Sequence, residues 1–116
     1  MGDLLLNREE LDEIENNPIF TLWLFGDIDE SKLTEHERNI IFARQMYYDL
    51  ILPDEQIYFV FDQMNCHDFD TFLSDSNLMF KASQFLGVRK DRIITKVALM
   101  KKRKEKQMRL NLKEEI

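Results

Sequence analysis

The sequence is short of the residues that staple or break a chain. Its one cysteine, Cys66, excludes an intrachain disulfide and any multi-cysteine zinc site. Two prolines and three glycines are too few for the many turns of a β-sandwich, which favours helices. No apolar run reaches the ~18 residues that span a bilayer, and the N-terminus lacks the basic-then-apolar layout of a signal peptide. A cytoplasmic protein without a membrane partner is expected. Phosphate-cradling glycine loops, Gly-x-Ser-x-Gly and His-Glu-x-x-His are missing too, so the expectation is a protein that is not an enzyme and carries no cofactor.

Basic residues are scarce in the first two-thirds. Residues 1–78 carry 18 acidic and 4 basic side chains, whereas residues 79–116 carry 12 basic and 4 acidic ones. The net charge of −6 therefore conceals two differently charged surfaces, one able to meet a polyanion and one that repels it. With 116 residues, 44% of them hydrophobic, the chain reads as a single domain with an acidic part, 1–78, and a basic C-terminal helix pair and tail, 79–116.

What is present is mostly helical periodicity. Asn7 with Glu10 makes a capping-box-like start to an acidic helix over 8–16, Leu4 to Leu6 supply a hydrophobic staple, and Asn17-Pro18 ends the helix. Ile19 to Phe25 is a dense apolar segment, expected as a short core helix; an exposed docking surface anchored on Trp23 and Phe25 is the alternative. Thr34 with Glu37 is a second capping box, opening a helix with Ile40, Ile41, Tyr47, Leu50 and Ile51 largely on one side. After Pro53, Asp54 is placed to cap a helix in which Ile57, Val60, Phe61 and Met64 share a face; the β-prone run IYFVF keeps a strand as its alternative. Residues 65–77 read as loop with one helical turn near Phe69 to Leu73. Ser74, Asp75 and Ser76 are all plausible caps for the next helix. The sum is an all-α protein, a compact bundle of five or six helices.

Residues 78–112 carry the most information. Leu78, Ala82, Phe85 and Leu86 recur at helical spacing, Gly87 follows, and Ile93, Ile94, Val97 and Met100 form a second periodic run. Ala82, Leu86-Gly87-Val88 and Ile93 resemble the helix-turn-helix motif over 78–98, in which a small residue packs under the crossing and a glycine permits the turn. The resemblance implies a recognition helix opening near Arg89 to Asp91 and presenting Arg89, Lys90, Arg92, Thr95 and Lys96 outward to phosphates or base edges. Lys101, Lys102, Arg103, Lys104 and Lys106 continue the basic side, and the ligand they imply is DNA, with RNA equally compatible. A solvated helix face suited to the macrodipole explains the same run.

Gln107 to Leu112 alternates apolar with polar residues, as an extended peptide does. It resembles the short peptide that docks bacterial proteins on the replicative sliding clamp, which makes Gln107, Met108, Leu110 and Leu112 the pocket-filling positions. Asp62, Cys66, His67, Asp68 and Asp70 crowd together but match neither an EF-hand loop nor a zinc spacing, so no metal is expected. Cys66 and His67, adjacent in the chain, point apart and make no nucleophile–base pair. His36, beside glutamates in a first helical turn, reads as a surface residue. The expected function is a non-catalytic nucleic-acid-associated accessory factor in transcription or replication control, with an acidic part for a protein partner. The alternative is an interaction or assembly component that binds no nucleic acid.

Overall fold

A computed structural model describes residues 8–115, and their side chains except those of Glu10, Leu11 and 109–115. The proposed cap at Asn7 and staple at Leu4 to Leu6 lie outside the described residues. All regular structure among them is helical: α1 Arg8–Asn16, α2 Ile19–Leu24, a 3₁₀ turn Glu30–Lys32, α3 Glu35–Ile51, α4 Asp54–Gln63, α5 Phe69–Ser74, α6 Ser76–Leu86 and α7 Lys90–Glu115. The all-α expectation is met, and IYFVF is helix, not strand. Seven α-helices are present among these residues because both short segments, 19–24 and 69–74, close as separate helices. The chain divides into two compact units, 1–48 and 49–116, so the division falls within α3 and not where the charge changes sign.

In the first unit the capping box at α3 forms as the spacing predicts. Glu37 N–H donates to Thr34 Oγ1 at 3.1 Å and Thr34 N–H to Glu37 Oε1 at 2.9 Å, satisfying two donors that the helix start leaves open. Ile19, Phe20, Trp23 and Leu24 of α2 are buried, as are Ile40, Ile41 and Tyr48 of α3. Phe20 and Tyr48 stack with ring centroids 6.0 Å apart, and the Arg44 guanidinium lies over both. The buried face of α3 is narrower than expected: Tyr47 is partly exposed and Leu50 is 81% exposed.

The second unit has a continuous core of Leu52, Ile57, Val60, Phe61, Cys66, Phe72, Ala82, Ile93, Val97 and Met100. Within it α5, α6 and α7 pack against one another. Asp68 caps α5 by accepting the Thr71 N–H, and Asp75, one of the three candidate caps, receives the Asn77 and Leu78 N–H groups at the start of α6. Ala82 is fully buried in this core. Phe85, assigned to the core face by spacing, is instead exposed.

Two left-handed residues end helices here. Gly87, at φ 67°, terminates α6; its own N–H and that of Val88 both reach the Ser83 carbonyl, and Ser83 Oγ donates to the Val88 carbonyl at 2.6 Å. Asn65, at φ 54°, does the same for α4. A Cβ on Gly87 meets nothing within 4 Å, so only the torsional preference of an L-residue opposes it. Gly87→Ala is expected to lower unfolding stability by about 1–2 kcal/mol, and Asn65→Gly to leave it within about 0.5 kcal/mol, both measurable by urea denaturation.

Candidate interaction surfaces

Part of the basic run of α7 is answered by the chain's own acids. Ile93, Lys96, Val97 and Met100 follow i, i+3, i+4, i+7, so Lys96 sits in the core stripe of α7. Its side chain is 0% exposed, a correction to its expected outward position. Two carboxylates accept from its Nζ: Asp49 at 2.7 Å, from the end of α3, and Asp54 at 2.6 Å, from the first turn of α4. Asp49 also receives both arms of Arg103, at 2.8 Å each. Lys101 pairs with Asp70 at 2.5 Å, and Lys104 lies over the Phe69 ring. Thr95 is half-buried and donates to the Asp91 carbonyl one turn back, which commits its hydroxyl proton within the helix.

Arg89, Lys90 and Arg92 are exposed at the opening of α7, directly after the glycine turn, as expected. Asp91 stands among them and pairs with Arg89 at 3.4 Å, while Lys90 Nζ lies 5.7 Å from the Phe80 ring centre. Lys102 is half-buried and Lys106 exposed. The sliding-clamp segment is corrected in conformation: α7 runs unbroken through residues 107–112, because lysine, arginine, glutamate and glutamine are good helix formers and no breaker interrupts them. Gln107 and Met108 are exposed on that helix, and the side chains of Leu110 and Leu112 lie outside the described residues.

Trp23, offered as an anchor, is buried, with its indole N–H donating to Glu30 at 3.3 Å; Phe25, just past α2, is exposed. A second apolar surface is one that sequence reasoning missed. Phe59 of α4 and Phe85 of α6 touch, with ring centroids 5.7 Å apart, and are 53% and 57% exposed. Phe80, on the other flank of the exposed α6 face, is half-exposed. Five consecutive apolar or aromatic residues in α4 hid the signal, since burial of Val60 and Phe61 turns Phe59 to solvent by the 100° step of the helix.

The acidic cluster around Cys66 has ordinary duties. Cys66 is buried with Sγ 3.6 Å from the Asp68 carbonyl, Asp68 caps α5 and Asp70 holds Lys101. A cleft of about 500 Å³ beside it is walled by Tyr58, Phe61 and Phe69, with Asp62, His67 and Lys104 at its polar side. Among the described residues no three His, Cys, Asp or Glu side chains converge as a cation site requires. His36 is exposed and pairs with Glu13 at 2.6 Å; that hydrogen bond raises its pKa above the ordinary 6.5.

No described helix is long and apolar enough to cross a membrane. No protein-family model, curated protein or solved structure matches the chain.

The Lys96 cluster yields a paired expectation. Asp49→Asn with Asp54→Asn leaves a buried cation without a counter-charge and should cost about 3–5 kcal/mol, whereas Lys96→Met, which leaves carboxylates that water still reaches, should cost less than that. Hydrogen bonds from Arg103, with Lys96 adding and burial opposing, hold the Asp49 carboxyl down to about 2. Its contribution is fully present above its ordinary value of 3.8 and is lost as pH falls through about 2. Acid titration of unfolding stability should therefore show a fall in that window that Asp49→Asn flattens.

Proposed function

We propose that this chain is a non-catalytic protein-interaction or assembly component of the cytoplasm, making its contact through aromatic side chains left at its surface. The observation that carries the reading is the Phe59–Phe85 pair, two touching aromatic rings each more than half exposed on adjacent helices. Single exposed apolar residues are ordinary, but adjoining aromatics at a surface are the composition of an interface centre. The distribution of charge supports the same reading. Arg89, Lys96, Lys101 and Arg103, four of the ten residues expected to meet nucleic acid, are paired with carboxylates of this chain. The remaining basic side chains work against a net charge of −6.

Nucleic acid is the second reading, favoured by one specific observation: Arg89, Lys90 and Arg92 are exposed where the helix after the glycine turn begins. In that reading the chain is the accessory factor of transcription or replication that its sequence suggests, with DNA or RNA as ligand. A sliding clamp is the less favoured protein partner, because residues 107–112 are helical and the clamp-binding peptide is extended.

Fluorescence anisotropy with a labelled DNA duplex and a labelled RNA strand, at low and moderate salt, separates the two. Expected is binding no tighter than the non-specific range of about 10⁻⁴–10⁻⁶ M, unchanged in the triple variant Arg89→Ala, Lys90→Ala, Arg92→Ala. Tight binding that falls steeply with salt and is lost in that variant overturns the interaction reading.

A further inference from the structure

The polar surroundings of the Phe59–Phe85 pair are asymmetric. On α4, Glu55 and Asp62 lie one turn either side of Phe59, both exposed. On α6, Lys81 lies one turn before Phe85 and is exposed as well. Among the described residues none of these three forms an ion pair. Other carboxylates of the same unit are occupied: Asp49, Asp54 and Asp70 hold lysine or arginine, and Asp68 and Asp75 cap helices. Unmatched charge is thus found on both helices of the aromatic surface, negative on one and positive on the other.

We propose that this α4–α6 face is an isologous interface between two copies of the chain, with Phe59 and Phe85 at its centre and Glu55 and Asp62 of each copy meeting Lys81 of the other. The proposal rests on the interaction reading and names its partner. A two-fold rotation through the aromatic pair brings α4 of one copy against α6 of the second, so the acidic edge meets the basic edge twice. Any other partner has to supply that complement; a second copy carries it already. The exposed Gln56, Gln63 and Gln84 on the same two helices are the neutral polar residues an interface rim accommodates.

Like-charge contacts across an interface are strongly unfavourable, and that makes the geometry testable by reversal. Size-exclusion with light scattering and sedimentation equilibrium on the full chain should find a concentration-dependent dimer. Lys81→Glu alone, and Glu55→Lys with Asp62→Lys, should each weaken it at least ~tenfold, and Phe85→Ser should do the same without a charge change. All four positions are exposed, so the circular dichroism of the variants should match the wild type. Mixing the Lys81→Glu protein with the Glu55→Lys, Asp62→Lys protein should restore a dimer, because every contact then pairs opposite charges again. A wild type that stays monomeric at every concentration overturns the second-copy partner, while the interaction reading survives if nucleic acid is also left unbound. An oligomer indifferent to all three variants overturns this face. A dimer that obeys the reversal yet binds DNA tightly keeps the interface and loses the interaction reading.

Discussion

The buried ammonium of Lys96 is the constraint on which the second unit depends. A cation without water needs counter-charge and hydrogen-bond acceptors at once, and here both come from Asp49 and Asp54, on the last turns of α3 and the first turn of α4. The pairing therefore joins three helices at one point, and Pro53 sets the break between the two acidic residues. Neither carboxylate is as deeply enclosed as the lysine, being 43% and 48% exposed, so water shares in solvating the pair. That arrangement makes the lysine the vulnerable partner. Losing the acids strands a charge in the core, while losing the base leaves acids that solvent still reaches.

The same pairing redistributes charge over the surface. A basic C-terminal third reads in one dimension as a polyanion-binding face, but folding turns Lys96 inward and commits Arg103 and Lys101 to Asp49 and Asp70. The acidic excess of the earlier residues is spent in part on helix caps at Asp68 and Asp75, and in part on these cations. The surface that is left includes a small basic group at the opening of α7 and an aromatic pair on α4 and α6. Surface ion pairs between long side chains, such as Arg89 with Asp91, contribute little; the aromatic rings lose hydration cost only by being covered.

Much of the fold was legible in the chain because its signals are local. The Thr34–Glu37 capping box, the Asn17-Pro18 stop, Pro53 and the Gly87 turn each act within four residues, and each marks a helix end within one or two residues of the observed one. Over 78–98 the glycine-centred break between two periodic runs is also observed, as α6, a three-residue turn and α7 packed together. Leu50, Phe59 and Phe85 were harder to place. Periodicity identifies an apolar stripe but not its width, and which edge of the stripe meets a neighbour depends on helices distant in sequence.

The sequence by itself determined that this protein is helical, where most of its helices end, and that its charge is divided between two regions, since capping, chain breaking and composition need no partner beyond the next turn. It even contained the position of Lys96, which falls on the same helical face as Ile93, Val97 and Met100. Only the tertiary structure decided that two aspartates would meet that lysine and that Phe59 and Phe85 would be left facing water. Those outcomes depend on contacts between residues tens of positions apart, whose pairing is settled by the packing of whole helices and not by any local preference.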